Sequence, residues 1–521
     1  MGTPTTPARG ALLPFSLAAV PFALLVLHFN WLCDDAFISF RFAQNFARGL
    51  GLLYNPGLAP VEGYSNFLWV LWLAPFELAH LDVTVAARLS SALSGLVLLL
   101  LIARVLRREL DTTHTALALL FPATLPPLAI WATSGLATMP FALLLFAVLE
   151  RLTSPGGPRT TGAALAAAGA LLMRADGPLF TGLLLAALFA WALVRGDRQL
   201  RRATLIAGLV AAGALAAQLL WRHAYYGAWS PNTARVKVEL DALTLERGLR
   251  YLGAFLLAFP SCLAALAIAG WRARARPGEA SSQSPGASPL TAASLTVVLG
   301  AAFYAVLVGG DFMTSGRFLV PALPFVALLF GRCAPGPLAT GLVVALALPG
   351  AWNVQLAPEG LRRALHFRWS ADDYRTEHEQ WQLMRSQSRD WSLLGRALAA
   401  HTRPGESLIH GTIGAVGYYS GLVIHDPFGL VNREEFREHE EPRRRSPGHH
   451  RRVPFATFMA LEPTYLEADL VPRADPLARL PNWLRPGTEF GDQAQPQWQP
   501  LEDLEGAPPG LVLRLVRRRT P

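Results

Sequence analysis

The sequence predicts an α-helical polytopic membrane protein carrying a soluble α/β domain at its C-terminal end, and three observations carry that class. The 521 residues are 52% hydrophobic and only 16% charged, a balance that excludes a cytosolic enzyme and a disordered chain. Apolar runs of about 15 to 20 residues recur along roughly the first 350 positions, lengths suited to a hydrocarbon core at 1.5 Å per helical residue. After Trp352 these runs stop, and some 170 residues rich in Arg, Glu, Pro and Trp follow. The chain therefore divides into a membrane part, 1–352, and a soluble part, 353–521.

Residues 11–29 form the first span, 19 residues whose polar side chains are Ser16 and His28 alone. No small-x-small cleavage site follows, and Asn30-Trp31-Leu32-Cys33 is a poor lipoprotein box, so a span is preferred to a cleaved signal peptide. His28 is expected to be a satisfied or snorkelling side chain rather than a ligand. Further runs at 84–103, 115–131, 140–149, 161–173, 179–194, 203–221, 251–270, 291–308, 318–330 and 337–351 bring the expected spans to eleven. Residues 67–78 are too short to cross and would break the alternation of loops, so they predict a juxtamembrane or re-entrant helix on the outer side. Arginines cluster in alternate loops, at Arg104/Arg107/Arg108, Arg151/Arg159, Arg195/Arg198/Arg201/Arg202, Arg272/Arg274/Arg276 and Arg332. By the positive-inside rule they mark the cytoplasmic face of the membrane, with the N-terminus inside and the C-terminal domain outside. The Pro- and Ser-rich stretch 272–289 reads as a cytoplasmic connector. In the soluble part, 406–409, 413–419 and 422–424 predict strand, short helix and strand.

The surplus of basic residues, 46 against 37 acidic, is a topology signal rather than a nucleic-acid footprint, because the arginines sit at span ends. Lys237 is the only lysine, and Cys33, Cys262 and Cys333 are too scattered for a disulfide framework or a metal knuckle. His449-His450 belongs to a charged stretch best explained as a solvated loop.

Once topology is assigned, the unusual polar residues gather on the outer loops: Asp34-Asp35, Glu62, Ser134-Gly135, Arg174, Asp176, the 221–237 segment, Asp311 and Arg317. Ionisable groups at a membrane edge are costly, so several on one face predict a polar cavity opening outward. Asp34 and Asp35 are candidates for a general base acting on a hydroxyl. The same pair would serve as a cap for the helix that follows, and adjacent carboxylates also suit a divalent cation, although no further ligand pattern accompanies them. Trp69, Trp72, Tyr225, Tyr226 and Trp229 are expected more as interfacial anchors than as sugar platforms.

The motifs Asp34-Asp35-Ala36-Phe37-Ile38-Ser39-Phe40-Arg41, Leu53-Tyr54-Asn55-Pro56-Gly57 and Val61-Glu62-Gly63-Tyr64-Ser65-Asn66 resemble the first outer loop of GT-C membrane glycosyltransferases. Within them the chain looks most like bacterial family 39-like proteins and the mycobacterial terminal β-(1→2)-arabinofuranosyltransferase. Arg174-Ala175-Asp176-Gly177, Tyr225-Tyr226-Gly227 with Pro231-Asn232-Thr233, Gly309-Gly310-Asp311-Phe312-Met313 with Arg317-Phe318, and 414–429 extend the likeness over most of the chain. The resemblance implies an inverting transferase that passes a sugar from a polyprenyl-phosphate donor to an envelope glycan, lipid or protein acceptor. It implies Asp34 or Asp35 as the catalytic carboxylate. Arg41, Glu62, Arg174, Asp176, Arg222, His223, Tyr226, Asn232, Lys237, Asp311 and Arg317 are then the candidates that contact or shape the substrate sites. Two or three of Arg174, Arg222, His223, Lys237 and Arg317 are expected to be structural, pairing with Asp176, Glu239 or Asp311. One departure stands out: the family's Ser-Gly-Leu-Glu-Thr reads Ser134-Gly135-Leu136-Ala137-Thr138 here. The missing carboxylate points to a different sugar, reduced activity or a non-catalytic homologue. A transporter or flippase of lipid-linked sugars and a non-catalytic assembly factor are the readings from other classes. Against transport, the charges concentrate at one set of loop ends rather than at mid-membrane.

Overall fold

A computed structural model describes residues 10–233, 241–275, 288–368, 373–432, 441–442 and 451–519. All eleven apolar runs are helical in it. They fall in α1 (Leu12–His28), α4 (Val83–Leu106), α5 (Thr112–Ala123) with α6 (Pro126–Trp131), α7 (Thr138–Leu152), α8 (Thr160–Met173), α9 (Gly177–Val194), α10 (Arg198–Tyr226), α11 (Ala242–Ala258) with α12 (Pro260–Ala275), α13 (Pro289–Leu307), α14 (Leu323–Gly331) and α15 (Pro337–Ala347). Between the first two lie α2 (Asp34–Ala47) and the expected short helix α3 (Phe67–Leu78). Among the described residues four helices are long and apolar enough to cross a membrane, five if the bent pair α11–α12 is one span. Five further apolar segments are shorter, so length and composition alone do not give eleven crossings.

Two expected spans are broken, each at a proline. The run 251–270 bends by 88° between α11 and α12, because Phe259 precedes Pro260 and is held out of the helical region at φ −128°, ψ 65°. The run 115–131 breaks in the same way, with Leu125 extended before Pro126-Pro127. His28 is satisfied as expected, its Nε2 lying 3.0 Å from the Ala351 carbonyl oxygen.

Beyond the bundle come α16 (Glu359–Ala364), α17 (Glu377–His401), β1 (Ser407–Ile409), α18 (Ala415–Ser420), β2 (Val423–His425), α19 (Phe455–Met459), β3 (Tyr465–Pro472), β4 (Ala494–Pro500) and β5 (Leu511–Arg518). The predicted strand, helix and strand are β1, α18 and β2. One five-stranded sheet runs in the order β2-β1-β3-β5-β4, parallel through β2, β1 and β3 and antiparallel through β3, β5 and β4. Helix α17 opens with a capping box between Thr376 and Glu379, which satisfies two otherwise orphaned amides.

Hydrogen bonds hold the start of α2 against the 130–135 segment. The Cys33 amide donates to Ser134 O at 2.9 Å, and the Trp31 indole donates to Ile130 O at 2.9 Å. Trp69, buried, donates its indole N–H to Gly135 O at 3.0 Å. Gly135 has φ +80°, and a Cβ there would come within 2.9 Å of Ala36 Cβ. The 134–138 segment is thereby pressed onto α2.

Candidate active site

Asp34 and Asp35 open α2, and successive helical residues point about 100° apart. Their side chains therefore meet different surroundings. The Asp34 carboxylate accepts the Ala415 N–H of α18 at 2.8 Å. A Cβ on Gly414 would lie 2.1 Å from Asp34 O and 2.5 Å from its carboxylate, so only glycine allows this approach. Burial pushes the Asp34 carboxyl up to about 7, with the Ala415 hydrogen bond opposing. Asp34 thus fastens α18 to α2.

Asp35 has no such anchor. Among the described residues its carboxylate takes no hydrogen bond and no ion pair, although it lies within Coulombic reach of Arg317. It forms part of the wall of two cavities. The first, about 380 Å³, is also lined by Arg174, Asp176, Asp311, Arg317 and Ala137. The second, about 470 Å³, lies toward α17 and is lined by Asp34, Arg375, Gln380, Gln387, Trp391 and Thr412 among others. Asp35, Ile38, Phe312 and Leu430 belong to both.

The cations of the first cavity are held by their own carboxylates. Arg174 grips Asp176 through two hydrogen bonds of 2.8 and 2.7 Å and reaches Thr138 Oγ1 at 3.4 Å. Arg317 pairs with Asp311 at 2.6 Å and lies over the rings of Phe318 and Trp131. These two pairings match the sequence expectation. Ala137 occupies the same wall, so the carboxylate missing from its segment is missing from this cavity.

Several sequence candidates hold the site together from outside, and neither cavity is lined by them. Arg41 is buried, and its guanidinium donates to Tyr54 O (2.7 Å), Gly417 O (2.5 Å), Leu422 O (2.6 Å) and Asn55 Oδ1 (3.2 Å). Arg41 is expected to shape the first-loop pocket, and here four protein acceptors take its donors, so that it clamps the first outer loop to the C-terminal part. Glu62 and Arg222 form a bidentate pair at 2.6 and 3.3 Å. Tyr226 donates to Leu52 O at 2.6 Å, and His223 stacks on Trp229 with ring centroids 4.2 Å apart. The Asn232 amide bonds Gly429 O at 2.6 Å and Leu430 O at 3.1 Å. Lys237 and the His449-His450 pair lie outside the described residues.

Sequence reasoning missed two contributors. One is the face of α17 that enters the second cavity at residues 380, 383, 384, 387 and 391, a helical stripe of i, i+3, i+4, i+7 and i+11 that periodicity would have revealed. The other is Asp426, fully buried, which accepts the amides of Phe428 (2.8 Å) and Leu430 (2.7 Å) and so shapes the loop that reaches both cavities. Burial pushes its carboxyl up to about 6, against those amides. Among the described residues no group of three or more His, Cys, Asp or Glu side chains is arranged to hold a metal ion.

Residues 373–513 match a family model described as "Domain of unknown function (DUF8728)". No curated protein matches the chain by sequence. Among solved structures it is similar to ArnT from Cupriavidus metallidurans in the apo state, with 14% identity, a TM-score of 0.53 and 98% of each chain covered. The same protein bound to undecaprenyl phosphate gives 15% identity and a TM-score of 0.54, with 97% of each chain covered. The arabinofuranosyltransferase AftD from Mycobacteria gives 18% identity and a TM-score of 0.52 over 97% of this chain but 40% of its own. The fold is that of GT-C membrane glycosyltransferases.

Proposed function

We propose that this chain is an inverting glycosyltransferase that moves a sugar from a polyprenyl-phosphate donor to an acceptor hydroxyl on the extracytoplasmic side of the membrane. One observation carries the reading: the unpaired carboxylate of Asp35 lies in the wall common to two cavities, one of which holds two arginines. A transferase needs two substrates to meet at a base, and this wall is where they would meet. The ArnT structure with undecaprenyl phosphate supports a polyprenyl-phosphate carrier.

The donor head group occupies the first cavity, with its phosphate toward Arg174 and Arg317. Charge-assisted hydrogen bonds from guanidinium are strong and directional, and Asp176 and Asp311 fix both forks in place before the donor arrives. The acceptor oxygen attacks the anomeric carbon from the face opposite the phosphate while Asp35 takes its proton. The bond between that carbon and the phosphate oxygen breaks, the electron pair leaves with the lipid phosphate, and the arginines stabilise the charge that develops there. Asp34 positions α18, and Arg41 holds the first outer loop against the C-terminal part. The membrane part is 1–352 and the soluble part 353–521, with the N-terminus cytoplasmic.

The test is transfer of labelled sugar in proteoliposomes from a panel of undecaprenyl- and decaprenyl-phosphate pentoses and hexoses. One donor is expected to support turnover, and Arg174→Gln and Arg317→Gln each raise its apparent KM. Movement of a labelled donor across the bilayer, with no transfer from any member of the panel, overturns the proposal in favour of a flippase.

A further inference from the structure

The polar groups of the two cavities differ in a way that bears on the acceptor. In the first cavity the charged groups Arg174 and Asp176, and Arg317 and Asp311, are matched within the protein, as are Ser39 and Asn66 at 2.9 and 3.2 Å, while Thr233 Oγ1 is buried there without a hydrogen-bond partner. In the second, where Asp34 is also bonded, several groups are left open. Gln380 is 3% exposed and donates its amide nitrogen to Phe312 O at 3.3 Å, yet its Oε1 is buried with no partner. The Gln387 amide, the Trp391 indole N–H and the Arg375 guanidinium are half-buried and have no hydrogen-bond partner among the described residues, so they are open to solvent or a ligand. A buried amide oxygen left unpaired costs about 1–3 kcal/mol, and native proteins seldom leave such groups unmatched unless something else binds there.

The arrangement is also selective. Gln380, Gln387 and Trp391 come from one face of α17, and they combine a broad aromatic surface with donors and acceptors at its margin. Apolar side chains such as Leu383 and Met384 lie between them. Multiple hydroxyls on a semi-rigid ring, each both donor and acceptor, match such a set. An acyl chain would leave those groups unpaired.

We infer that the second cavity binds the acceptor and that the acceptor is a saccharide, its terminal ring lying against Trp391 and its hydroxyls hydrogen-bonded by Gln380, Gln387 and Arg375, with the reacting hydroxyl toward Asp35. This rests on the transferase reading for the step itself and assigns a role to α17, which lies within the segment matching the family of unknown function. The atoms balance as in that step: the saccharide oxygen gains the glycosyl group, its proton goes to Asp35, and the lipid phosphate departs.

The experiment measures binding apart from chemistry. The full chain in nanodiscs is titrated with pentosyl and hexosyl trisaccharides and with a Ser/Thr-containing peptide, using saturation-transfer NMR. A trisaccharide is expected to bind and the peptide not to. Trp391→Leu and Gln387→Leu weaken that binding about tenfold or more, as expected for a site built on hydroxyl contacts, whereas Trp391→Phe keeps most of it. Binding of the peptide alone, or equal trisaccharide affinity in Trp391→Leu and the wild type, overturns the inference and leaves the transferase reading standing if Asp35→Asn abolishes transfer. Trisaccharide binding that depends on Trp391, without transfer from any polyprenyl-phosphate sugar, leaves the saccharide site standing and removes the transferase reading.

Discussion

On the proposed mechanism, replacing Asp35 by Asn removes a base and almost nothing else. The carboxylate has no hydrogen bond or ion pair to lose among the described residues, so folding is expected to change little. A positioned general base contributes a factor of about 10² to 10⁴, equivalent to about 2.7–5.4 kcal/mol of activation free energy. The same exchange at Asp34 acts on a different quantity. Asn still offers an oxygen to the Ala415 N–H, and only the charge assistance is lost, about 1 kcal/mol, partly offset because burial already disfavours the charged carboxylate. The Asp34→Asn variant is therefore expected to keep its rate within about tenfold of wild type while its melting behaviour changes. The assay is initial-rate transfer from the best polyprenyl-phosphate donor at saturating acceptor, with a thermal melt of each purified variant alongside. An Asp35→Asn enzyme within threefold of wild type, or an Asp34→Asn enzyme equally dead yet unchanged in its melt, refutes this division of roles.

Arg41→Lys exchanges a planar fork meeting four acceptors for a single ammonium, and the acceptors left unpaired lower stability by about 2–4 kcal/mol, read as a lower melting temperature. Gly414→Ala places a methyl group 2.1 Å from Asp34 O, so it is expected to destabilise by about 1–3 kcal/mol and to make the loop at 402–406 easier to cleave in limited proteolysis. The carboxyls of Asp34 and Asp426 are raised to about 7 and about 6 from an ordinary 3.8; the stability they contribute is complete below about pH 4 and lost as pH rises through those values. The melting temperature should accordingly fall from pH 5 to pH 8, with a shallower fall in Asp34→Asn. Cysteines placed at the exposed Trp229 and Gly405 should react with an impermeant reagent in intact cells, while one at the exposed Arg198 should not; the reverse pattern overturns the orientation.

Much of the helical architecture was legible because it depends on composition and period, which the chain states directly. All eleven apolar runs became helices, and the segment 67–78 is the short helix expected of it. The breaks at Leu125 and Phe259 were written in the sequence too, as residues preceding proline, but a hydropathy window averages over a single proline and misses them. Site residues were harder. Arg174 and Arg317 were singled out because ionisable groups at a membrane edge are costly, and both line the first cavity. Arg41 was expected at the first-loop pocket, but nothing in its local sequence reveals that Gly417 and Leu422, nearly four hundred positions away, offer it carbonyl oxygens. Gln380, Gln387 and Trp391 went unnoticed for the opposite reason. Neutral polar residues on an amphipathic helix look like a solvated face until tertiary contacts show that the face encloses a cavity.

The adjacency of Asp34 and Asp35 has a physical logic. A base between two cavities must sit on a rigid element, because a displacement of about 1 Å costs roughly a hundredfold in rate. The start of a helix is rigid only if its first turn is tied down, and here Cys33 is fixed to Ser134 while Asp34 is fixed to Ala415. With the preceding residues bound on both sides, Asp35 can remain unpaired without moving, its position set by the backbone rather than by partners of its own carboxylate. A paired Asp35 would be better placed for stability and less able to take a proton. The neighbouring carboxylate that holds α18 is what permits the second one to stay free, which is why losing either is expected to matter, one through the fold and the other through the chemistry.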